Sequence, residues 1–249
     1  MKILNNQKIS QFPDAILFDI DNTLYPYDPA HEAAHNAIQK KVVEAYSLSS
    51  DDFNKAFRQA RIDIKSRLEG TAASHSRLLY MQRMLEIIGL GSQALLALDL
   101  EQTYWRTFLS NAQTFEGVKD LMEDIRLWGI PTAVVTDLTA QIQFRKIIYL
   151  GLDSYFDHIV TSEEAGFDKP HNEPYSLAIE KLQPKGNCVW MVGDNPSKDI
   201  QGARESIGAI TFQKIHKGVS LGIGSATPDV SFKDFSSLRD LLIRLNEAS

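Results

Sequence analysis

Short apolar runs alternate with amphipathic helical patterns along this chain, and one long helical block interrupts them. Residues 15–20 form an apolar run that stops at acidic and turn residues, which is typical of a buried parallel strand. Further strands are predicted at residues 130–136, 158–161, 188–192 and 209–212, with Val230 in a last edge strand. Helical patterns separate these strands, so the chain is expected to form a parallel sheet wrapped by helices.

The helical block follows the first strand directly. Two prolines predict a loop at residues 25–29, and from there to residue 111 the sequence has no strand pattern. Four helices are predicted instead, at residues 31–46, 50–68, 73–88 and 93–109. The predicted fold class is therefore α/β, with a Rossmann-like parallel sheet core formed by residues 1–25 and 115–249 and an inserted helical cap domain at residues 26–114.

Composition excludes several classes of function. The chain has 249 residues, a net charge of −6 and one cysteine, Cys188. A mildly acidic protein is not expected to bind nucleic acid or an anionic membrane surface. One cysteine excludes an internal disulfide and a multi-cysteine metal site. The sequence has no apolar stretch of membrane-spanning length and no signal-peptide pattern. We therefore expect a cytoplasmic protein without nucleic-acid or membrane partners, and the sequence leaves its oligomeric state open.

Polar and charged side chains follow the predicted strands at their carboxyl ends, where ligands bind in open α/β sheets. They are Asp19 and Asp21 after the first strand, Thr136 and Asp137 after the second, Lys169 beyond the third, and Asp194 and Asp199 after the fourth. Carboxylates brought close together repel one another unless a cation joins them. Oxygen ligands without cysteine or histidine suit a hard ion, and we predict Mg²⁺ as the cofactor.

The order of these motifs resembles that of a known family. Residues 19–23 (Asp-Ile-Asp-Asn-Thr), then Thr136, Lys169-Pro170, and Gly193-Asp194 with Asp199, are similar to the four-motif signature of the haloacid dehalogenase-like phosphohydrolase superfamily. The match runs along the whole predicted core, and the helical insertion resembles the α-helical cap of that family. One DxDxT pattern has little specificity, whereas four motifs in order, each at a predicted strand end, are specific.

The resemblance implies a reaction and a role for each residue. Asp19 is the nucleophile, which forms an aspartyl-phosphate intermediate. Asp21 is the acid that protonates the leaving alkoxide and then the base that activates water. Mg²⁺ is held by Asp19, the backbone carbonyl of Asp21, and Asp194. Asp199 orients either the water ligands of the metal or Lys169.

The resemblance also implies how the phosphate is bound. Lys169 supplies positive charge to Asp19 and to the transferring phosphoryl group. Thr136 and the backbone N–H groups of its loop bind phosphate oxygens. Asp137 belongs to this predicted substrate-binding set, although it stands where the family often has Asn. Its negative charge beside a phosphate requires that the side chain point away or reach the cap.

These roles predict an enzyme, a Mg²⁺-dependent phosphatase that hydrolyses a small phosphate monoester such as a sugar phosphate. Asp21 favours this reaction, because the haloacid dehalogenases of the family lack the second aspartate. A cap of this size is expected to shelter the site from macromolecules, so the expected partner is a small phosphorylated molecule. Two alternatives stay open: a phosphomutase of the same superfamily, and a non-catalytic binding protein on the same fold, which has no need of Asp21.

Basic side chains are frequent on the second predicted helix of the cap: Arg58, Arg61, Lys65 and Arg67. They form either a stripe that meets an anionic substrate or ion pairs with acidic residues of the same helix. Tyr25 and Tyr27 follow the first motif, in a segment that resembles the mobile flap of the family, and one of them is expected to border the entrance to the site.

Overall fold

The computed structural model describes residues 1–5 and 9–247. The chain divides into two compact units, one formed by Met1–Pro26 with Gln113–Ser249 and the other by Tyr27–Ala112. All strands of the described residues belong to the first, which we call the sheet unit. In the described residues the second contains helices and no strand, and we call it the helical unit.

The sheet unit is built on a sheet that has seven strands within the described residues. In chain order they are β1 (Lys2–Ile3), β2 (Ala15–Phe18), β3 (Thr132–Thr136), β4 (His158–Thr161), β5 (Val189–Gly193), β6 (Ile210–Lys214) and β7 (Val230–Phe232). Their order across the sheet is β1-β7-β6-β5-β2-β3-β4, and β1–β7 is the antiparallel pair in an otherwise parallel sheet. The predicted α/β fold with a parallel sheet is confirmed.

The edge of the sheet differs from the prediction. Val230 was predicted in an edge strand, but β7 lies inside the sheet because β1 pairs with it, with Lys2 opposite Ser231 and Ile3 opposite Val230. A strand of two residues is too short to show an alternation pattern, so the sequence gives no sign of it. The first predicted strand also ends earlier than expected, at Phe18.

The helical unit contains four α-helices in the described residues: α1 (Tyr27–Tyr46), α2 (Ser50–Arg67), α3 (Arg77–Ile87) and α4 (Ala94–Asn111). The predicted loop at residues 25–29 is wrong after Pro26, since α1 begins at Tyr27. Pro29 is tolerated there because the N–H groups of a first helical turn have no acceptor within the helix. The third predicted helix is split: a 3₁₀ turn at Ala72–His75 precedes Ser76, whose Oγ accepts from the Leu79 N–H at 3.3 Å and caps α3.

Six further α-helices of the described residues belong to the sheet unit: α5 (Val118–Leu127), α6 (Ala140–Leu150), α7 (Ser162–Ala165), α8 (Asn172–Leu182), α9 (Ala203–Ile207) and α10 (Phe235–Glu247). The short α7 is not predicted by the sequence. A π-helical segment, Pro196–Gly202, precedes α9 and is continued by it. Gly151 ends α6 in the left-handed conformation that glycine adopts without strain.

The core of the sheet unit lies on both faces of its central strands. Every residue of β2, β3 and β5 is buried, as expected for parallel strands covered on both sides. Trp190 of β5 and Phe212 of β6 pack with their ring centroids 4.2 Å apart. In the part of the chain that the structure describes, the helices lack the combination of length and apolarity that a membrane crossing requires.

Candidate active site

The predicted site residues of the first and fourth motifs follow two neighbouring strands. Because β2 and β5 are parallel and paired from Ala15 and Val189 to Phe18 and Val192, the residues after them emerge at the same edge. The backbone N–H of Asp19 donates to the Val192 carbonyl at 2.9 Å, which extends this pairing by one residue. The sheet therefore brings residues 19–21 and 193–199 together although the sequence separates them by more than 170 positions.

A buried ammonium group stands at the centre of this edge. The Nζ of Lys169 donates to Asp19 Oδ1 at 2.7 Å, to Asp199 Oδ1 at 2.6 Å and to the Val135 carbonyl at 2.9 Å. Burial disfavours the ammonium form, but the negative charges of Asp19 and Asp199 outweigh this effect and hold the pKa of Lys169 well above its ordinary value. Lys169 is therefore a fixed positive charge beside Asp19.

Three carboxyl groups share the same space. Asp19, Asp194 and Asp199 each offer one oxygen, and these oxygens lie within 4.8 Å of one another. Burial raises the pKa of Asp19 to about 7 against the opposing charge of Lys169. Burial together with the charges of Asp199 and Asp19 raises the pKa of Asp194 to about 9. A bound cation would favour the ionised forms of Asp19 and Asp194, and a donor set of oxygens fits Mg²⁺.

Gly193 allows Asp199 to approach the end of β5. A Cβ at Gly193 would lie 2.3 Å from the Cβ of Asp199, which is too close for two carbon atoms that are not bonded to each other. The Oδ2 of Asp199 accepts from the Asn195 N–H at 2.9 Å, while its Oδ1 accepts from Lys169. Both oxygens of Asp199 are thus engaged, and the carboxylate supports the lysine that contacts Asp19.

Asp21 has different partners. The ammonium of Lys146 donates to both of its carboxylate oxygens at 2.7 Å, and the hydroxyl of Tyr25 donates to Oδ1. Lys146 is 1% exposed, whereas the side chain of Asp21 is 34% exposed and therefore reachable from solvent. Its carboxylate is not among the three that lie within 4.8 Å of one another. Tyr25 is fully buried beneath the site, so it does not border an entrance.

The end of β3 and the loop that follows it carry the remaining predicted residues. Thr136 is buried, and its Oγ1 accepts from Gln143 Nε2 at 2.7 Å. Asp137 Oδ1 accepts from the Lys169 N–H at 2.8 Å, and its Oδ2 lies 2.6 Å from Lys198 Nζ. The charge of Asp137 is thus balanced within the sheet unit.

Sequence reasoning did not identify three of these residues: Lys146, Gln143 and Lys198. The signal for the first two is their position on α6, where they lie on the same buried face as Ile147 and Leu150. Polar side chains on an apolar helical face are buried only when they have partners. Lys198 lies in the π-helical segment and gives no such signal, because a partly exposed lysine in a helical turn is ordinary.

Comparison with known proteins gives a family match across this site. The family model described as haloacid dehalogenase-like hydrolase matches residues 13–206. The matched segment begins before Asp19, ends after Asp199 and spans the helical unit. The chain also matches two curated relatives over most of their own length.

The chain is 36% identical to the ribulose-1,5-bisphosphate 5-phosphatase of Halopiger xanaduensis over 76% of this chain and 80% of that protein. It is 30% identical to the glyceraldehyde 3-phosphate phosphatase of Methanopyrus kandleri over 82% of this chain and 84% of that protein. Among solved structures, the HAD-hydrolase YfnB of Bacillus subtilis, bound to magnesium, has a TM-score of 0.67 at 20% identity, over 93% of this chain and 99% of that one. This last likeness concerns the fold alone.

Proposed function

Because the chain belongs to the haloacid dehalogenase-like hydrolase family, we propose that it is a Mg²⁺-dependent phosphatase of a small phosphate monoester of the sugar-phosphate class. The observation that carries this proposal is the buried ammonium of Lys169, 2.7 Å from Asp19 and 2.6 Å from Asp199. It gives Asp19 the positive neighbour that a carboxylate needs when it attacks an anion. The names of the two curated relatives support the sugar-phosphate class.

In the proposed first step, Asp19 attacks the phosphorus atom. A bond forms between a carboxylate oxygen and phosphorus, the bond from phosphorus to the ester oxygen breaks, and an aspartyl-phosphate results. Lys169 offsets the negative charge of both reactants, and Asp199 keeps Lys169 in place through its 2.6 Å ion pair. Water then attacks the phosphorus, which releases phosphate and restores Asp19.

Asp19 and Asp194, with the backbone carbonyl of Asp21, are the proposed ligands of Mg²⁺. Their support is the oxygen-only donor set within 4.8 Å and the raised pKa values of both carboxyl groups. When bound, Mg²⁺ supplies Lewis-acid stabilisation of the charge on the transferring phosphoryl group. We assign Asp199 to the support of Lys169, because both of its oxygens accept hydrogen bonds from the protein.

Asp21 is the proposed general acid and base. It protonates the leaving alkoxide in the first step and takes a proton from water in the second. Lys146 and Tyr25 hold its carboxylate in one orientation, and its exposure of 34% leaves a face for the leaving oxygen. An enzyme that cleaves phosphate esters needs this group, because an alkoxide leaves poorly without a proton.

Thr136, the last residue of β3, is the proposed phosphate ligand. Its hydroxyl oxygen accepts from Gln143, and its hydroxyl hydrogen donates to the Asp137 carbonyl at 3.4 Å, a long hydrogen bond that a phosphate oxygen would replace. Asp137, held by the Lys169 N–H and by Lys198, shapes the loop after β3. We assign the helical unit the role of the cap and place the protein in the cytoplasm, as the sequence predicts.

The test is the release of inorganic phosphate from a panel of phosphorylated sugars and from p-nitrophenyl phosphate, with Mg²⁺ and with EDTA. We expect metal-dependent release concentrated on a few sugar phosphates. Asp19→Asn should lower turnover by a factor on the order of 10⁴ or more, while circular dichroism shows a folded protein. Conversion of one sugar-phosphate isomer into another without phosphate release would favour the phosphomutase. Release that is unchanged in Asp19→Asn would contradict the proposed nucleophile.

A further inference from the structure

An arginine of the helical unit is surrounded by aromatic rings. The guanidinium carbon of Arg77, at the start of α3, lies 5.4 Å from the ring centroid of Tyr80 and 5.3 Å from those of Tyr104 and Trp105. Its Nη1 donates to the His75 carbonyl at 2.7 Å and its Nη2 to the Tyr27 hydroxyl at 2.5 Å. All of these partners are neutral, so the positive charge of Arg77 is held in place without being cancelled.

Other cations of the helical unit have acidic partners. Lys55 pairs with Asp51 at 2.7 Å, and Arg83, on the same helix as Arg77, pairs with Asp63 at 2.7 Å. Within residues 1–5 and 9–247, by contrast, Arg77 contacts no carboxylate. A partly buried guanidinium ordinarily has an anionic partner, because removing its charge from water is costly. Two hydrogen bonds also leave N–H groups of the guanidinium for a further acceptor.

The pKa of His31 is affected by the positive charge of Arg77. Its Nδ1 shares a hydrogen bond with the Tyr104 hydroxyl at 2.6 Å, and its ring stacks on Tyr27 at a centroid distance of 5.4 Å. Burial, then the charges of Arg77, His35 and Arg61, lower the pKa of His31 to about 4. Charges from α2 and α3 therefore act together at one place, beside a tyrosine hydroxyl from α1.

We propose that Arg77, with Arg61 and the Tyr27 hydroxyl, forms a binding site for a phosphate group within the helical unit. Arg77 supplies a planar fork of N–H donors, which matches a phosphate in a bidentate contact. Arg61 lies one turn of α2 after Phe57, whose ring packs against that of Tyr80 with the centroids 6.4 Å apart. It is exposed and supplies a second positive charge, and Tyr27 supplies a hydroxyl. The phosphate is either a second phosphate group of the substrate or a separate phosphate ion, and the same chemistry recognises both.

Direct binding is measured by titrating the full-length protein with inorganic phosphate in EDTA while following the side-chain Nε–H resonance of Arg77 by NMR. The resonance is assigned by its absence from Arg77→Lys. We expect a saturable shift whose midpoint rises about tenfold in Arg61→Gln, since one of two charged contacts is lost. Arg106→Gln, which removes an exposed arginine of the same unit, should leave the midpoint unchanged. A resonance that does not move, or equal midpoints in Arg61→Gln and the wild type, would overturn the site.

The source of the phosphate is identified by kinetics with a sugar bisphosphate and the corresponding monophosphate. If the second phosphate of the substrate occupies the site, Arg77→Gln and Arg61→Gln should lower kcat/KM for the bisphosphate by a factor on the order of 10² and change the monophosphate little. If a separate ion occupies it, both substrates are affected equally, and the NMR titration still shows binding. The titration needs no turnover, so failure of the phosphatase proposal and failure of this site give different results.

Discussion

The two units of this protein surround a positively charged side chain with different kinds of neighbours. In the sheet unit, Lys169 lies 2.7 Å from Asp19 and 2.6 Å from Asp199, and its charge is balanced by carboxylates. In the helical unit, Arg77 lies among Tyr80, Tyr104 and Trp105, and its charge is not balanced. A cation that is paired with carboxylates belongs to a site that is already assembled. A cation without an anionic partner can bind an anion from solution.

The largest effect on stability is expected from Lys169→Met. It would leave Asp19 and Asp199 buried without their common ammonium, and breaking a buried ion pair on one side costs about 3–5 kcal/mol. Urea denaturation in EDTA measures the loss. Lys55→Met is the matched control, because its pair with Asp51 is exposed and should contribute little to stability. Similar losses in the two variants would contradict the account of the buried site.

Lys146→Met tests whether Lys146 positions Asp21 for proton transfer. Both ammonium contacts to Asp21 would be lost, and we expect kcat for a sugar phosphate to fall by a factor on the order of 10², the lower end of what general acid–base catalysis contributes. With p-nitrophenyl phosphate the fall should be smaller, because its leaving group needs little help from an acid. Lys146→Arg should restore part of the kcat for the sugar phosphate that Lys146→Met loses. An equal fall with both substrates would indicate a structural role only.

Arg77→Gln tests whether the loss of Arg77 destabilises the protein less than the loss of Lys169. The substitution removes the contacts of a cation with its aromatic neighbours but leaves no carboxylate stranded. We therefore expect a destabilisation of about 1–2 kcal/mol in the absence of phosphate, smaller than that of Lys169→Met. Urea denaturation under the same conditions makes the comparison. A loss as large as that of Lys169→Met would mean that the charge of Arg77 is balanced after all.

The smallest expected effect is the pH dependence due to His31. Its pKa is about 4 in the folded protein and 6.5 in its ordinary state, so between these values the unfolded chain binds more protons. This contribution to stability is present above pH 6.5 and is lost as the pH falls toward 4. Allowing for solvent near this partly buried side chain, we expect about 1 kcal/mol. His31→Gln should flatten the pH profile of unfolding in this window, and an unchanged profile would exclude His31 as its source.

The sequence predicts the fold of the sheet unit well, for a physical reason. Strands buried on both faces are continuous apolar runs, so β2, β3 and β5 are visible as such, and β4 coincides with its predicted bounds. Of two features that the sequence does not predict, one depends on a distant partner and the other on a local property of the first helical turn. β1 exists because Lys2 and Ile3 pair with β7, and the start of α1 at Tyr27 depends on the tolerance of a first turn for Pro29.

The residues of the site also fall into those that the sequence predicts and those that it does not. Asp19, Asp194, Asp199 and Lys169 follow predicted strands or belong to recognisable motifs, so their convergence at one edge could be expected from the parallel sheet. The contact of Lys146 with Asp21 joins a helix to a loop 125 positions away, and no local pattern encodes such a contact. The aromatic surroundings of Arg77 likewise come from two helices and become visible only in three dimensions.

The most direct test of the central claim, phosphoryl transfer to Asp19, is chemical trapping of the intermediate. The enzyme is mixed with a sugar phosphate that it hydrolyses, quenched in acid within one turnover and reduced with borohydride, which converts an aspartyl-phosphate into homoserine. The digested chain is then analysed by mass spectrometry. We predict homoserine at position 19 with Mg²⁺ and unmodified Asp19 with EDTA. Rapid turnover with Asp19 unmodified, or homoserine at a different aspartate, would contradict the account.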